Sequence, residues 1–174
     1  MSKTGIVLIG MAGVGKSTVG SSLAKALGFE FIDLDDYLRR KEGLTIQQII
    51  DRQGEEKLLK LERESMREID MNGKVISPGG SIIYDADIMK YLKQFSFLVY
   101  LADTFENIRQ RLGNAPTRGI VGLKTKSLRQ IYDERRPVYS GYADIILDVG
   151  GKSKKEVISE IIKLLPDSAA FKGG

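Results

Sequence analysis

The residues best suited to chemistry stand near the start of the chain. Gly10 to Ser17 read GMAGVGKS and fit G-x-x-x-x-G-K-[ST] at each defined position. Gly10 and Gly15 permit a backbone curl that a Cβ would obstruct. The N–H groups of Gly13, Val14, Gly15, Lys16, Ser17 and Thr18 can then converge on phosphate oxygens, helped by the positive end of the following helix. The Lys16 ammonium would reach β- and γ-phosphates. The Ser17 hydroxyl would ligate Mg²⁺, and Thr18 would lie near the α-phosphate. An apolar run at 5–9 precedes the loop and a helix-forming run follows it, which is the context the pattern requires. The stretch predicts a site for ATP with Mg²⁺.

A second group of oxygens follows at 33–36, reading DLDD. An apolar run at 29–33 would place these carboxylates at a strand's C-terminal end, where open α/β sheets bind ligands. Asp33 and Asp35 flank Leu34. One could hold Mg²⁺ through water while the other takes an acceptor hydroxyl. Asp36 reads instead as the cap of the next helix. The chain has no histidine and no cysteine. That excludes imidazole bases, thiolate nucleophiles, disulfides and histidine- or cysteine-bound metals, and leaves a carboxylate as the expected general base. No N-K-x-D guanine motif and no second, glutamate-bearing ATPase signature accompanies the loop. Together with the short chain, this points to a small-molecule kinase.

These groups need a scaffold. Buried-strand patterns occur at 5–9, 29–33, 74–77, 95–101 and 144–149. Helical patterns occur at 16–27, with Gly28 as the stop, and at 54–71, 104–112 and 126–139. Thr45 with Gln48 and Ser153 with Glu156 form capping boxes that open two further helices. The alternation predicts an α/β fold, a three-layer arrangement with a five-stranded parallel sheet and helices on both faces. Residues 1–166 fit a single domain, with an acceptor-binding helical region at 34–62 and a lid at 113–125. Residues 167–174 read as a disordered tail. The net charge of +4 reads first as a solvated surface of mixed sign; as a functional signal it fits a site that handles anions better than a nucleic-acid patch, because Lys and Arg are dispersed and not interleaved with aromatics. No apolar run approaches the roughly 20 residues of a membrane span. A cytoplasmic monomer without a signal peptide is expected.

The stretch from Gly10 to Leu38 resembles the start of shikimate kinases, which share the nucleoside-monophosphate-kinase-like P-loop fold. GLTIQQIIDRQGE at 43–55, SPGGSII at 77–83 and DERRPVY at 133–139 extend the resemblance over most of the chain. It implies ATP-dependent phosphorylation of a hydroxylated small molecule, within aromatic amino acid biosynthesis. Residue by residue, it implies that Asp33 contacts Mg²⁺ through water and that Asp35 binds the acceptor hydroxyl and assists its deprotonation. Gly79 and Gly80 would offer N–H groups to the acceptor. Arg118 would be the lid arginine over the transferred phosphate, Arg111 would lie against adenine, and Arg135 would bind the acceptor carboxylate.

The chain departs from the family pattern at four places. Leu59 stands where G-E-x-x-F-R has its carboxylate-clamping arginine, with Lys57, Lys60 and Arg63 nearby but out of register. Ser81 replaces the third glycine. The lid reads PTRGIVG. Ile50 and Leu58 replace aromatics that wall the acceptor pocket. A shikimate-type kinase therefore stands beside a related kinase for another polyol or hydroxylated metabolite. A nucleotide kinase and a non-catalytic ATP-binding module are the remaining readings.

Overall fold

The computed structural model describes residues 3–113 and 119–166. Five strands form one parallel sheet: β1 (Gly5–Ile9), β2 (Glu30–Asp33), β3 (Lys74–Ser77), β4 (Ser96–Ala102) and β5 (Ile145–Asp148), ordered β2-β3-β1-β4-β5. The central strand β1 pairs with β3 through Ile6–Val75 and Val7–Ile76, and with β4 from Gly5–Ser96 to Ile9–Tyr100.

Every residue of β1 is buried because helices cover both faces. Successive strand side chains point to opposite faces. Ile6 and Leu8 join one core with Leu23 of α1 (Lys16–Leu27) and Ile161 of α8 (Lys154–Leu164). Val7 and Ile9 join the other. There they meet side chains of α2 (Leu34–Glu42), α3 (Ile46–Gln53), α4 (Glu55–Glu68), α5 (Ala86–Phe95), α6 (Phe105–Leu112) and α7 (Leu128–Tyr142). The expected sheet and its two helical layers are present. Among the described residues no helix is long and apolar enough to cross a membrane.

The differences from the sequence reading are local. Both capping boxes form, Thr45 with Gln48 and Ser153 with Glu156. The helix expected at 54–71 starts at Glu55 and stops at Glu68, with Ile69 already extended. A 3-10 turn (Gly80–Tyr84) and α5 fill a region to which the patterns assign no element. Yet Asp85 caps α5 through the N–H groups of Asp87 and Ile88, and Ile88, Met89 and Leu92 bury one face. Helix α7 runs past Pro137 to Tyr142. Proline withdraws one backbone donor, but the turn beyond it is held by Tyr139, which is fully buried with its hydroxyl on the Gly80 carbonyl at 2.7 Å. The proposed tail and residues 114–118 of the lid lie outside the described residues.

Candidate active site

The loop Gly10–Gly15 joins the central strand to α1 at the C-terminal edge of the sheet. Gly15 precedes the helix with φ 105°, a left-handed conformation in which a side chain would be strained. No side chain caps α1, so its first N–H groups face the cleft. Gly13, Gly15, Lys16, Ser17 and Thr18 line that cleft, which measures about 880 Å³. Val14 turns its side chain into the core, and its N–H donates to the Met11 carbonyl at 3.3 Å. Lys16 is buried and donates from Nζ to the carbonyls of Gly10 at 2.8 Å and Met11 at 3.0 Å. Burial lowers its pKa to about 8, against the opposing pull of Asp35.

Asp33, the last residue of β2, links this loop to the acceptor wall. One carboxylate oxygen accepts from the Ser17 hydroxyl. The other accepts from the N–H groups of Asp35 at 3.0 Å and Asp36 at 3.3 Å. Asp33 is thus the cap of α2, which corrects the assignment of that role to Asp36. Being the last extended residue, Asp33 has the geometry of an N-cap; Asp36 lies inside the helix and pairs with Arg39 at 2.6 Å. The two residues expected to serve Mg²⁺ are therefore held in contact. Both offer hard oxygen donors suited to that cation. Among the described residues no cluster of three acidic groups forms a metal cage. A cation bound here would complete its shell with water and phosphate oxygens, the usual habit of Mg²⁺.

Farther along the cleft, α2 presents Asp35. Its carboxyl opens to the cleft water but has protein on most sides. Burial, reinforced by the Asp33 charge, raises its pKa to about 6. Opposite it stands Glu62 of α4, a cleft residue that the sequence reading overlooks. Glu62 is 2% exposed. Burial and the nearby Asp35 push its pKa up to about 8, while a bond from Ser81 opposes the shift. A signal did exist. The buried positions of α4 are Leu58, Leu61, Glu62, Ser65 and Met66, so one carboxylate sits within an apolar stripe. A buried acid with a raised pKa beside a charged partner in a cleft is a candidate functional residue.

The turn after β3 explains its own glycines. A Cβ on Gly79 would fall 2.3 Å from Glu62 Oε1, and one on Gly80 would fall 2.9 Å from Arg135 Nη1. A Cβ at either position would displace the tip of a cleft side chain, so these glycines leave Glu62 and Arg135 where they stand. Ser81 turns inward and donates to Glu62 Oε2 at 3.1 Å. Arg135 of α7 is 1% exposed yet lines the cleft. It donates to the Tyr84 hydroxyl at 3.2 Å and the Val121 carbonyl at 2.8 Å. Among the described residues no carboxylate forms an ion pair with it, so its charge is available to an anion. Arg111 lies in the last turn of α6 beside the phosphate loop, where a Cβ on Gly13 would fall 3.0 Å from Leu112, and binds the buried Asp103 carboxylate at 2.6 Å. Arg118 lies outside the described residues. The chain that follows is fastened to the acceptor helices, Gly119 N–H to Gln47 Oε1 at 3.2 Å and Gly122 N–H to Glu55 Oε1 at 2.8 Å. Leu59 is half-buried on α4 and is not among the described cleft-lining residues.

A phosphate loop and a carboxylate-rich wall facing one cleft on a parallel sheet define a class, the ATP-dependent small-molecule kinases. The comparisons narrow it. The model of the shikimate kinase family matches residues 12–166. The shikimate kinase of Francisella philomiragia is 37% identical over 164 residues, covering 92% of this chain and 93% of its own. Among solved structures, the shikimate kinase of Acinetobacter baumannii in complex with shikimate superposes with a TM-score of 0.85 at 30% identity, covering 94% of this chain and 93% of that one. The Aquifex aeolicus shikimate kinase gives 0.79 at 33% identity, covering 91% and 94%. The chain belongs to the shikimate kinase family.

Proposed function

We propose that this kinase transfers the γ-phosphoryl group of ATP to a hydroxyl of shikimate. The observation that carries the reading is the convergence of Asp35, Glu62 and Arg135 on the cleft that holds Lys16. Two carboxyl groups suit a vicinal polyol, and a buried arginine with no acidic partner among the described residues suits a carboxylate. In the proposed reaction the acceptor oxygen bonds to the γ-phosphorus as the bond to the β–γ bridging oxygen breaks. The hydroxyl proton passes to Asp35, and ADP departs. With a pKa of about 6, Asp35 is mostly ionised at pH 7 and more basic than an ordinary aspartate. Lys16 exchanges the Gly10 and Met11 carbonyls for phosphate oxygens and offsets the charge that develops on the leaving group. Glu62 orients a second hydroxyl, and the Gly79-Gly80 turn holds the ring against α4. Ser17 and Asp33 would hold Mg²⁺, Asp33 through water; the ion neutralises phosphate charge. Arg118 and Arg111 are assigned to the transferred phosphate and the adenine.

The test is coupled ADP release over a panel of hydroxylated metabolites with and without a carboxylate. Shikimate should give the highest kcat/KM. A neutral polyol that surpassed it would transfer the chain to the alternative substrate class.

A further inference from the structure

Four cationic side chains line the cleft within the described residues: Lys16, Arg39, Arg111 and Arg135. Lys16 belongs to the phosphate loop. Arg111 is fixed to the buried Asp103 carboxylate beside that loop. Arg135 has the role proposed above. Arg39 remains, one turn along α2 from Asp35. Residues i and i+4 of a helix are neighbours on one face, about 5–6 Å apart at Cβ. Helical side chains also lean toward the N-terminus, which carries the Arg39 guanidinium back over the first turn of α2. It is seen there, with Nη2 on Asp36 Oδ1 at 2.6 Å. Its charge reaches Asp35, where it opposes the rise in pKa. The Arg39 side chain is 59% exposed, and Asp36 is comparably open at 55%. An exposed pair of this kind is weak, so the guanidinium is free to turn further into the cleft. Only one of its five N–H groups is engaged by Asp36. Two parallel donors can still meet a carboxylate without breaking that bond.

The cations of α4 do not compete for the role. Lys60 pairs with Glu64 at 3.7 Å, and Arg63 pairs with Asp85; neither is among the described cleft-lining residues. We infer that Arg39 is a specificity-determining residue that binds the acceptor's carboxylate from the α2 side, while Arg135 binds it from α7. An acceptor whose hydroxyl rests on Asp35 then places an anionic group one helical turn away, about the width of a six-membered ring. This rests on the proposed reading of the acceptor as a hydroxylated carboxylic acid.

Steady-state kinetics of wild type, Arg39→Ala and Arg39→Lys with shikimate and its methyl ester test the inference. The ester keeps every hydroxyl and loses the charge. Arg39→Ala should raise the KM for shikimate about tenfold or more. The KM for ATP should stay unchanged, and the ester's KM should move less than twofold. Arg39→Lys should recover part of the loss, because a point charge replaces a fork. Arg39 is exposed, so the variants should keep the wild-type melting temperature. If wild type turns over shikimate and Arg39→Ala leaves its KM unaltered, Arg39 is not a ligand, and the substrate reading survives. Equal losses for acid and ester also overturn the inference, since they would mean Arg39 acts through Asp35. If wild type fails to phosphorylate shikimate, the substrate reading falls and takes this inference with it.

Discussion

The two ends of the cleft are built in different ways. The proposed phosphate end is one continuous loop, Gly10–Thr18, whose working groups would be largely backbone N–H groups and two adjacent side chains, Lys16 and Ser17. The proposed acceptor end takes single residues from separate elements: Asp35 from α2, Glu62 from α4, Gly79 and Gly80 from the turn after β3, and Arg135 from α7. Backbone recognition of phosphate needs only a local conformation. Recognition of a small hydroxylated acid needs side chains that only the tertiary fold brings together. The first end therefore constrains residue type at its two glycines, Lys16 and Ser17, whereas the second can exchange one cation for another in a different element.

The largest expected effect lies at the phosphate end. Lys16→Ala should lower kcat by about 10³-fold or more for every acceptor while the fold persists, because it removes the positive charge that offsets the charge developing on the leaving group. Near-normal turnover with shikimate would remove the loop from the chemistry. Next, Asp35→Asn should reduce kcat by about 10²-fold with little change in ATP affinity. A matching loss of ATP affinity would exchange its role with that of Asp33. A smaller effect is expected at Leu59. An arginine there should lower the shikimate KM by about three- to tenfold if position 59 can reach the acceptor carboxylate. An unchanged KM with reduced stability would make Leu59 a plain packing residue of α4.

The smallest effect concerns stability. The Glu62 pKa is raised from 4.5 to about 8 by burial, so between those pH values the folded chain keeps a proton that the unfolded chain releases. Stability should accordingly fall as pH rises through that window. Asp35 contributes in the same sense only up to about pH 6. Lys16, lowered to about 8, acts in the opposite sense and only above that pH. Melting curves between pH 6 and 8 thus isolate Glu62. Glu62→Gln should flatten the decline and melt about 2–4 °C above wild type at pH 8, at a cost in acceptor KM. An identical decline in the variant would assign it to other groups.

The same division decided what could be read from the chain. The strand-loop-helix unit at 5–27 carries its signals in contiguous residues: an unbroken apolar run, glycines at fixed offsets, and Gly28 in the left-handed region at φ 68°. Helix α5 carries its own signals, Asp85 as cap and the Ile88–Met89–Leu92 spacing, in a stretch to which the sequence patterns assign no element. Glu62 shares the face marked by Leu58, Leu61 and Met66, but the many charges of α4 make that face hard to pick out from sequence. Asp33 and Asp36 were confused as caps because the cap depends on where the strand ends, a matter of one residue. Lys60 and Arg63 lie close in sequence to the expected clamp position, yet Lys60 pairs with Glu64 within α4 and Arg63 with Asp85 at the start of α5, and Arg39 of α2 lines the cleft instead.

The most direct test of the central claim is ³¹P NMR of a reaction containing this chain, MgATP and shikimate. A new phosphomonoester resonance should grow in step with ADP, and no inorganic phosphate should accumulate. ATP converted to ADP and free phosphate, or left intact while a neutral polyol is phosphorylated, would contradict it.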